Sequence, residues 1–333
     1  MDYAYVGTSG LRINRLALGT QTFGWNIGEE DSMKLMDFYF DQGGIYFDTA
    51  DSYNKGASET ILGNWIRKRN RRDKIVIGTK VFFETGPGPN DTGSSRKHIF
   101  QSVDTSLERL HTDYIDLLQI HCYDARTSVR EVMRTLDDLV RSGKVRYVGL
   151  SNFPPSRVME LQMISRYEGT VPVTTLQLEY SLLVRSPEWE LLPLCGELGI
   201  GVMAWSPLAG GWLTGKYRKN RDVPADSRVG RGDRWDDDAD QRGSGQAYAV
   251  IEELVRLSGE LHRPVSQISL NWILSGPYPV VPLVGARSME QLCENFGALE
   301  WTLDVSCRKR LDAVSRIAAV SPYSFIGRYT RKD

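Results

Sequence analysis

The sequence predicts an α/β chain folded as a (β/α)8 TIM barrel, with an N-terminal β-hairpin and a long insert after strand 7. Eight short apolar runs alternate with amphipathic intervals along the 333 residues, and uninterrupted strand–helix–strand order means parallel pairing through right-handed crossovers. The runs are rich in β-branched and large apolar residues, as strands buried on both faces must be. No G-x-G-x-x-G follows the first run, and this, with the count of eight, favours a closed barrel over a doubly wound open sheet. A barrel with insertions holds the whole length, 1–333, in a single domain.

The hairpin comes first, as YAYVGTSGLRIN (3–14) around Gly7-Thr8-Ser9-Gly10. Strands are expected at 16–20, 46–50, 75–80, 115–121, 145–152, 175–181, 201–208 and 280–286. Between them, 95–110 places Ile99, Val103, Ser106, Leu107 and Leu110 on one side of a helix, and 128–145 ends with Gly143 where a helix stops. The rhythm breaks once, between Trp205 and Val280. Residues 209–246 are rich in Gly, Arg and Asp, and such an insert after a barrel strand reads as a lid or cofactor clamp over the active face, with a surface loop as the plainer alternative. Helical segments follow near 247–261 and 265–275. A last helix is expected over 303–320, and the tail from Phe325 either crosses the barrel mouth or frays.

A formal net charge of −1 and 25% charged residues argue against nucleic acid or a membrane surface as partner. Cys122, Cys195, Cys293 and Cys307 form no C-x-x-C pair and sit in or beside apolar elements, so reduced buried thiols in a cytoplasmic protein are expected. The polar N-terminus and the lack of a long apolar stretch give no signal peptide or membrane span.

Four residues, Asp48, Tyr53, Lys80 and His121, fall at or just beyond the ends of consecutive predicted strands, the face of a parallel barrel where chemistry gathers. A tyrosine phenol, with a pKa of about 10, is a poor acid unless something stabilises its phenolate. A lysine ammonium within roughly 4–6 Å does so, and a carboxylate beyond the lysine keeps it charged and aimed. His121 can hydrogen-bond a substrate carbonyl. Singly, each has a bland reading: a turn cap, a rim tyrosine, a solvated strand end, a satisfied histidine. Jointly they read as a site that donates a proton.

These residues lie in segments that resemble the aldo-keto reductases, and the resemblance runs from about Gly19 to Asn295. DTADSYNKGASE (48–59), GTK (78–80), QIH (119–121) and GLSN (149–152) look like the family's Asp–Tyr, lysine, histidine and nicotinamide-contacting segments. AWSPLAGGWLTGKY (204–217) and VPLVGARSMEQLCENFGAL (281–299) look like its pyrophosphate and adenosine-phosphate segments. The long insert resembles the branch that holds potassium-channel β-subunits and many microbial reductases. Those β-subunits usually carry asparagine where this chain has His121.

The resemblance implies contacts to a nicotinamide cofactor. Ser151, Asn152 and Gln177 would hydrogen-bond the carboxamide, and Trp205 would stack on the ring. Ser206, Leu208 and Gly210 would meet the pyrophosphate, with Lys216 as a point charge above it. Gly285, Arg287, Gln291, Glu294 and Asn295 would surround the adenosine end at a helix N-terminus. Arg287 is the implied 2′-phosphate ligand, which favours NADPH (NADP+) over NADH.

GGWLTGKY contains G-x-x-x-x-G-K, but Tyr217 stands where a P-loop needs Ser or Thr. Asp236, Asp237 and Asp238 have no histidine or glutamate beside them, so they read as a solvated edge and no metal site is expected. The implied activity is NADPH-dependent reduction of an aldehyde or ketone, a small-molecule carbonyl, at a mouth lined by Phe23, Trp25, Phe82, Tyr123 and Trp212. The competing class is a nicotinamide-binding regulatory subunit that senses redox state through slow turnover, which His121 disfavours. The sequence does not specify an oligomeric state.

Overall fold

The computed structural model describes residues 2–219, 221–225, 227–232 and 245–329. Strands β1 (Tyr3–Tyr5) and β2 (Arg12–Asn14) pair antiparallel as the expected hairpin. The barrel strands are β3 (Ala17–Gly19), β4 (Tyr46–Asp48), β5 (Val76–Val81), β6 (Ile115–Ile120), β7 (Val145–Ser151), β8 (Val173–Glu179), β9 (Gly201–Trp205) and β10 (Val280–Val284). They run parallel in chain order, and β10 pairs back to β3 to close the barrel. The strands are mostly shorter than their apolar runs, because the last residues of each run turn into the mouth. Only β8 begins earlier than expected, at Val173.

Helices α1 (Glu29–Asp41), α2 (Ala57–Arg69), α3 (Arg96–Leu110), α4 (Val129–Arg141), α5 (Pro155–Glu168) and α6 (Leu191–Leu198) form most of the outer ring. After the insert come α7 (Gly245–Leu261), α8 (Val265–Leu274), α9 (Met289–Phe296), α10 (Val305–Val314) and α11 (Tyr323–Tyr329). Ser95 caps α3 by accepting from the His98 N–H, and Ile99, Val103, Ser106 and Leu110 are buried as the spacing predicts, with Leu107 half-buried. Gly143 follows α4 with φ of 78°, a left-handed stop.

Ala17, Tyr46, Leu117, Met203 and Leu283, from five different strands, share one buried cluster with Val6 and Ile13 of the hairpin. The hairpin thus plugs the N-terminal end of the barrel, and Thr8 N–H anchors it on Gly199 O at 2.9 Å. Chemistry is left to the opposite end. The insert reaches across that end: Arg228 lies 5.8 Å from the Trp25 ring, in the β3–α1 loop, and Val229 N–H donates to Tyr217 Oη at 3.4 Å. Asp236, Asp237 and Asp238 lie outside the described residues, as do the other insert positions from 233 to 244.

Two expectations are corrected. The helix expected over 303–320 stops at Val314, where the Ser315 N–H and hydroxyl both donate to Leu311 O and Arg185 donates to that hydroxyl, and α11 forms separately after Pro322. Tyr323 stacks on Trp189 at 5.4 Å, so α11 docks on the β8–α6 connection, with Phe325 and Tyr329 exposed. The four cysteines are free, but only Cys195 and Cys307 are buried; Cys122 is half-buried and Cys293 exposed, since it falls on the outer face of α9. Among the described residues no helix is long and apolar enough to cross a membrane.

Helices α2 and α3 meet at Gly63, where a Cβ would stand 2.1 Å from Arg109 O. Gly63→Ala should therefore destabilise the protein by about 1–3 kcal/mol through overpacking, despite alanine's higher helix propensity. Urea unfolding of the variant measures this; an unchanged or raised midpoint would mean the helices shift apart at no cost.

Candidate active site

The ends of β4 to β9 converge on one mouth. Asp48 ends β4, Lys80 is the penultimate residue of β5, His121 follows β6, Ser151 ends β7, Gln177 lies in β8 and Trp205 ends β9. Tyr53 stands five residues past Asp48, at the start of a turn in which Asn54, Lys55 and Gly56 are all left-handed, with φ of 51°, 57° and 90°. That turn is held by the Asn54 amide, which donates to Gln21 O at 2.8 Å and Phe23 O at 2.7 Å.

The structure brings the four predicted residues together. Lys80 Nζ donates to Asp48 Oδ2 at 2.5 Å, to Thr49 O at 2.8 Å and to Tyr53 Oη at 3.3 Å. The His121 ring stands edge-on to Tyr53, with centroids 5.7 Å apart. Lys80 is fully buried and Asp48 nearly so. Burial works against the ammonium, but Asp48 and Tyr53 outweigh it and hold the Lys80 pKa above its usual value. For Tyr53 burial is the largest effect and pushes the phenol up, while Lys80 pulls it down. The lysine therefore offsets burial and does not produce a net acidic phenol. His121 is driven well below the imidazole range by burial and then by the Lys80 charge, so it is neutral at physiological pH.

Two partners of this group escaped sequence reasoning. Tyr46 Oη donates to Asp48 Oδ1 at 3.2 Å, and the Gln119 amide lies 3.5 Å from the same oxygen. Each stands two residues before a recognised site residue, Asp48 or His121, and the two-residue strand period is the signal that points to it. Phe83, next to the expected Phe82, packs on the His121 ring at 4.7 Å.

The nicotinamide-segment residues also gather here. Gln177 Nε2 donates to Asp48 Oδ1 at 2.9 Å. Asn152, left-handed at φ of 56°, donates to His121 O at 2.9 Å and Ser151 Oγ at 3.0 Å, and accepts from Trp205 Nε1 at 3.0 Å. The Trp205 ring is half-buried at the rim. Beyond it Ser206, Ala209, Gly210 and Gly211 are left-handed, around Leu208, and the turn is closed by the Ala209 and Gly211 N–H groups, which donate to Ser206 O and Leu208 O at 2.8 and 2.9 Å. A Cβ on Gly211 would lie 2.7 Å from Lys216 Nζ, so that ammonium sits against the same turn.

Gly285 and Arg287 follow β10, and Ser288 caps α9 by accepting from Gln291 N–H. Gln291 Oε1 accepts from Arg287 N–H at 2.9 Å, Glu294 accepts from Ser266 Oγ, and Asn295 is buried. Arg287 directly precedes the Ser288 cap of α9 in the chain, and helix N-termini and guanidinium groups are both suited to phosphate. These residue types fit the groups of a nicotinamide dinucleotide.

The aromatic mouth is only partly as expected. Trp25, Phe82 and Tyr123 are half-buried around the rim. Phe23 is fully buried with Leu18, Phe47 and Trp65, and Trp212 is buried against Tyr217 at 4.7 Å. Both belong to the core, because their loops fold inward to cover apolar surface. Among the described residues no group of three or more His, Cys, Asp or Glu side chains is placed to hold a metal.

A family model described as the aldo/keto reductase family matches residues 15–316. The chain belongs to the aldo/keto reductase family. Its relatives include an uncharacterized oxidoreductase, YrpG, of Bacillus subtilis, 38% identical over 94% of this chain and 96% of that protein. A versiconal hemiacetal acetate reductase of Aspergillus parasiticus is 34% identical over 90% and 93%. A probable voltage-gated potassium channel subunit beta of Oryza sativa is 35% identical over 90% and 92%. This aldo/keto reductase is accordingly an NAD(P)H-dependent oxidoreductase of the carbonyl-reducing class.

A buried ion pair is costly to break from one side only. Lys80→Met should lower stability by about 3–5 kcal/mol, because Asp48 is left charged and buried, and adding Asp48→Asn should recover a large part of that loss. Chemical denaturation of the two single variants and the double variant tests this; strictly additive losses would show that the pair is not coupled.

Proposed function

We propose that this chain reduces an aldehyde or ketone to the alcohol with NADPH, taking the proton from Tyr53. The observation that supports this best is the unbroken chain of contacts Asp48–Lys80–Tyr53, ending in a hydroxyl beside a neutral imidazole at the barrel mouth. When bound, NADPH supplies the hydride from nicotinamide C4 to the carbonyl carbon. Tyr53 stays protonated at neutral pH, so it holds a proton to give to the carbonyl oxygen. As the phenolate forms, the Lys80 ammonium stabilises it, and Asp48 keeps that ammonium charged and in place. Neutral His121 orients the carbonyl by donating a hydrogen bond to its oxygen.

On the cofactor side Ser151, Asn152 and Gln177 meet the carboxamide and Trp205 the ring. Ser206, Leu208, Gly210 and Lys216 hold the pyrophosphate, and Arg287 grips the 2′-phosphate, with Gly285, Gln291, Glu294 and Asn295 around the adenosine. The contact of Arg228 with Trp25 supports the insert as the clamp over this groove. Trp25, Phe82 and Tyr123 form the apolar rim met by the substrate. Free thiols without a C-x-x-C pair support a cytoplasmic setting, and the single closed barrel supports one domain.

Tyr53→Phe should lower kcat for carbonyl reduction by at least roughly 10²–10⁴-fold and leave NADPH affinity within about twofold, since it removes one hydroxyl that the proposed cofactor contacts do not use. Stopped-flow turnover and fluorescence titration read the two separately, and near wild-type turnover would remove Tyr53 as the acid. Arg287→Ala should weaken NADPH by about ten- to a hundredfold, at ~1.4 kcal/mol per decade, and leave NADH nearly unchanged. Equal losses for both cofactors would assign Arg287 to holding the loop.

A further inference from the structure

Behind the turn that carries Tyr53, two acidic side chains and one guanidinium meet in a buried pocket. Asp51 is 2% exposed and Glu59 is fully buried. Arg109 enters from α3, with Nη1 3.0 Å from the Asp51 carbonyl oxygen and 3.3 Å from Glu59 Oε2. Its guanidinium lies against Gly56, where a Cβ would stand 2.2 Å from Arg109 Cζ. Glu59 also accepts the Thr79 hydroxyl at 2.6 Å. The Asp51 carboxyl has no such support: neither oxygen has a hydrogen-bond partner, and the Ser102 hydroxyl and Ser52 N–H approach it without reaching bonding geometry.

Charge counting then decides the protonation state. With both carboxyls ionised the pocket would hold two negative charges against one positive, and a buried uncompensated anion is relieved by keeping a proton. Burial raises the Glu59 carboxyl too, but Thr79 and Arg109 pull it back down, and the Asp51 carboxyl has no bonded partner, so the proton falls to Asp51. Burial, with Glu59 adding to it, raises the Asp51 carboxyl to about 8. The other charged or titratable groups near this pocket are Lys80 of β5, whose carbonyl accepts the Asp51 N–H at 3.0 Å, Asp48 of β4, Tyr53 itself, and His98 of α3. His98 lies 3.5 Å from Ser102, and burial lowers its pKa, so it is neutral.

We propose that Asp51 is a positioning residue that acts through Tyr53 in its protonated form. With the proton held, the pocket behind the tyrosine is neutral. With the proton released, a negative charge opposes the phenolate that Tyr53 becomes as it gives its own proton to the substrate. This rests on the reading of Tyr53 as the acid. It makes the carboxyl one turn behind the tyrosine a brake that engages as pH rises.

The test compares kcat for NADPH-dependent carbonyl reduction from pH 6 to pH 9.5 in the wild type and in Asp51→Asn, which keeps the shape and cannot ionise. Wild-type kcat should fall about three- to tenfold through pH 8, equivalent to half a pKa unit to one unit on Tyr53, and the variant should lose this limb. Melting gives a readout independent of activity. The folded carboxyl keeps its proton to about pH 8 and the unfolded one releases it near 3.8, so wild-type stability falls relative to the variant from pH 5 to pH 8 and then runs parallel. An identical alkaline limb in both proteins, or a melting difference independent of pH, overturns the proposal. Asp51→Ser serves for both measurements if Asp51→Asn does not accumulate. Substantial reduction by Tyr53→Phe would instead overturn the role of Tyr53, and the melting comparison would still report where the Asp51 proton resides.

Discussion

A lysine ammonium with no solvent exposure exists in this barrel only because a carboxylate stands against it, and much of the mouth follows from that pairing. Asp48 can remain charged without water because its oxygens are engaged by Lys80 on one side and by Gln177 and Tyr46 on the other. Tyr46 reaches Asp48 only by passing across Gly78, where a Cβ would meet its hydroxyl at 2.2 Å. Gly78 is the register partner of Asp48 in the β4–β5 pair. The requirement thus extends from a charge to a tyrosine, from that tyrosine to a missing side chain, and from there to the register of two strands.

The barrel was legible because its strands are buried on both faces, which writes them as continuous apolar runs at eight places. Asp48, Lys80 and His121 were legible because a polar residue that ends such a run has few places to go but the mouth. Other features depend on three-dimensional burial, which spacing does not encode. The net direction of the Tyr53 shift required knowing that burial outweighs Lys80. Phe23 and Trp212 were misplaced because loop aromatics follow no period, and a large ring in a loop is as readily folded into the core as turned outward. The end of α10 at Val314 was similarly obscured, since the apolar residues after it support more than one break.

Backbone strain has a clear distribution. Of the left-handed non-glycine residues described, Asn70, His111 and His262 end or follow helices, where such a residue closes the last turn. Asn54, Lys55, Asn152, Ser206 and Ala209 instead ring the mouth just past strand ends. Each costs on the order of 1 kcal/mol or more, and among them Asn54 and Asn152 turn their amides onto the carbonyls of Gln21, Phe23 and His121. The packed lower half of the barrel, with the hairpin sealing it, supplies the stability that tolerates this.

One amide joins the two walls of the mouth. Asn152 holds the carbonyl of His121 and the indole N–H of Trp205 at once, and they belong to the ends of β6 and β9. The histidine wall and the tryptophan wall therefore share a fastening, and neither can be reshaped as a separate module. Variation that widens the mouth on one side is transmitted through the Asn152 side chain to the other, so in this scaffold the His121 end and the Trp205 end evolve as linked traits.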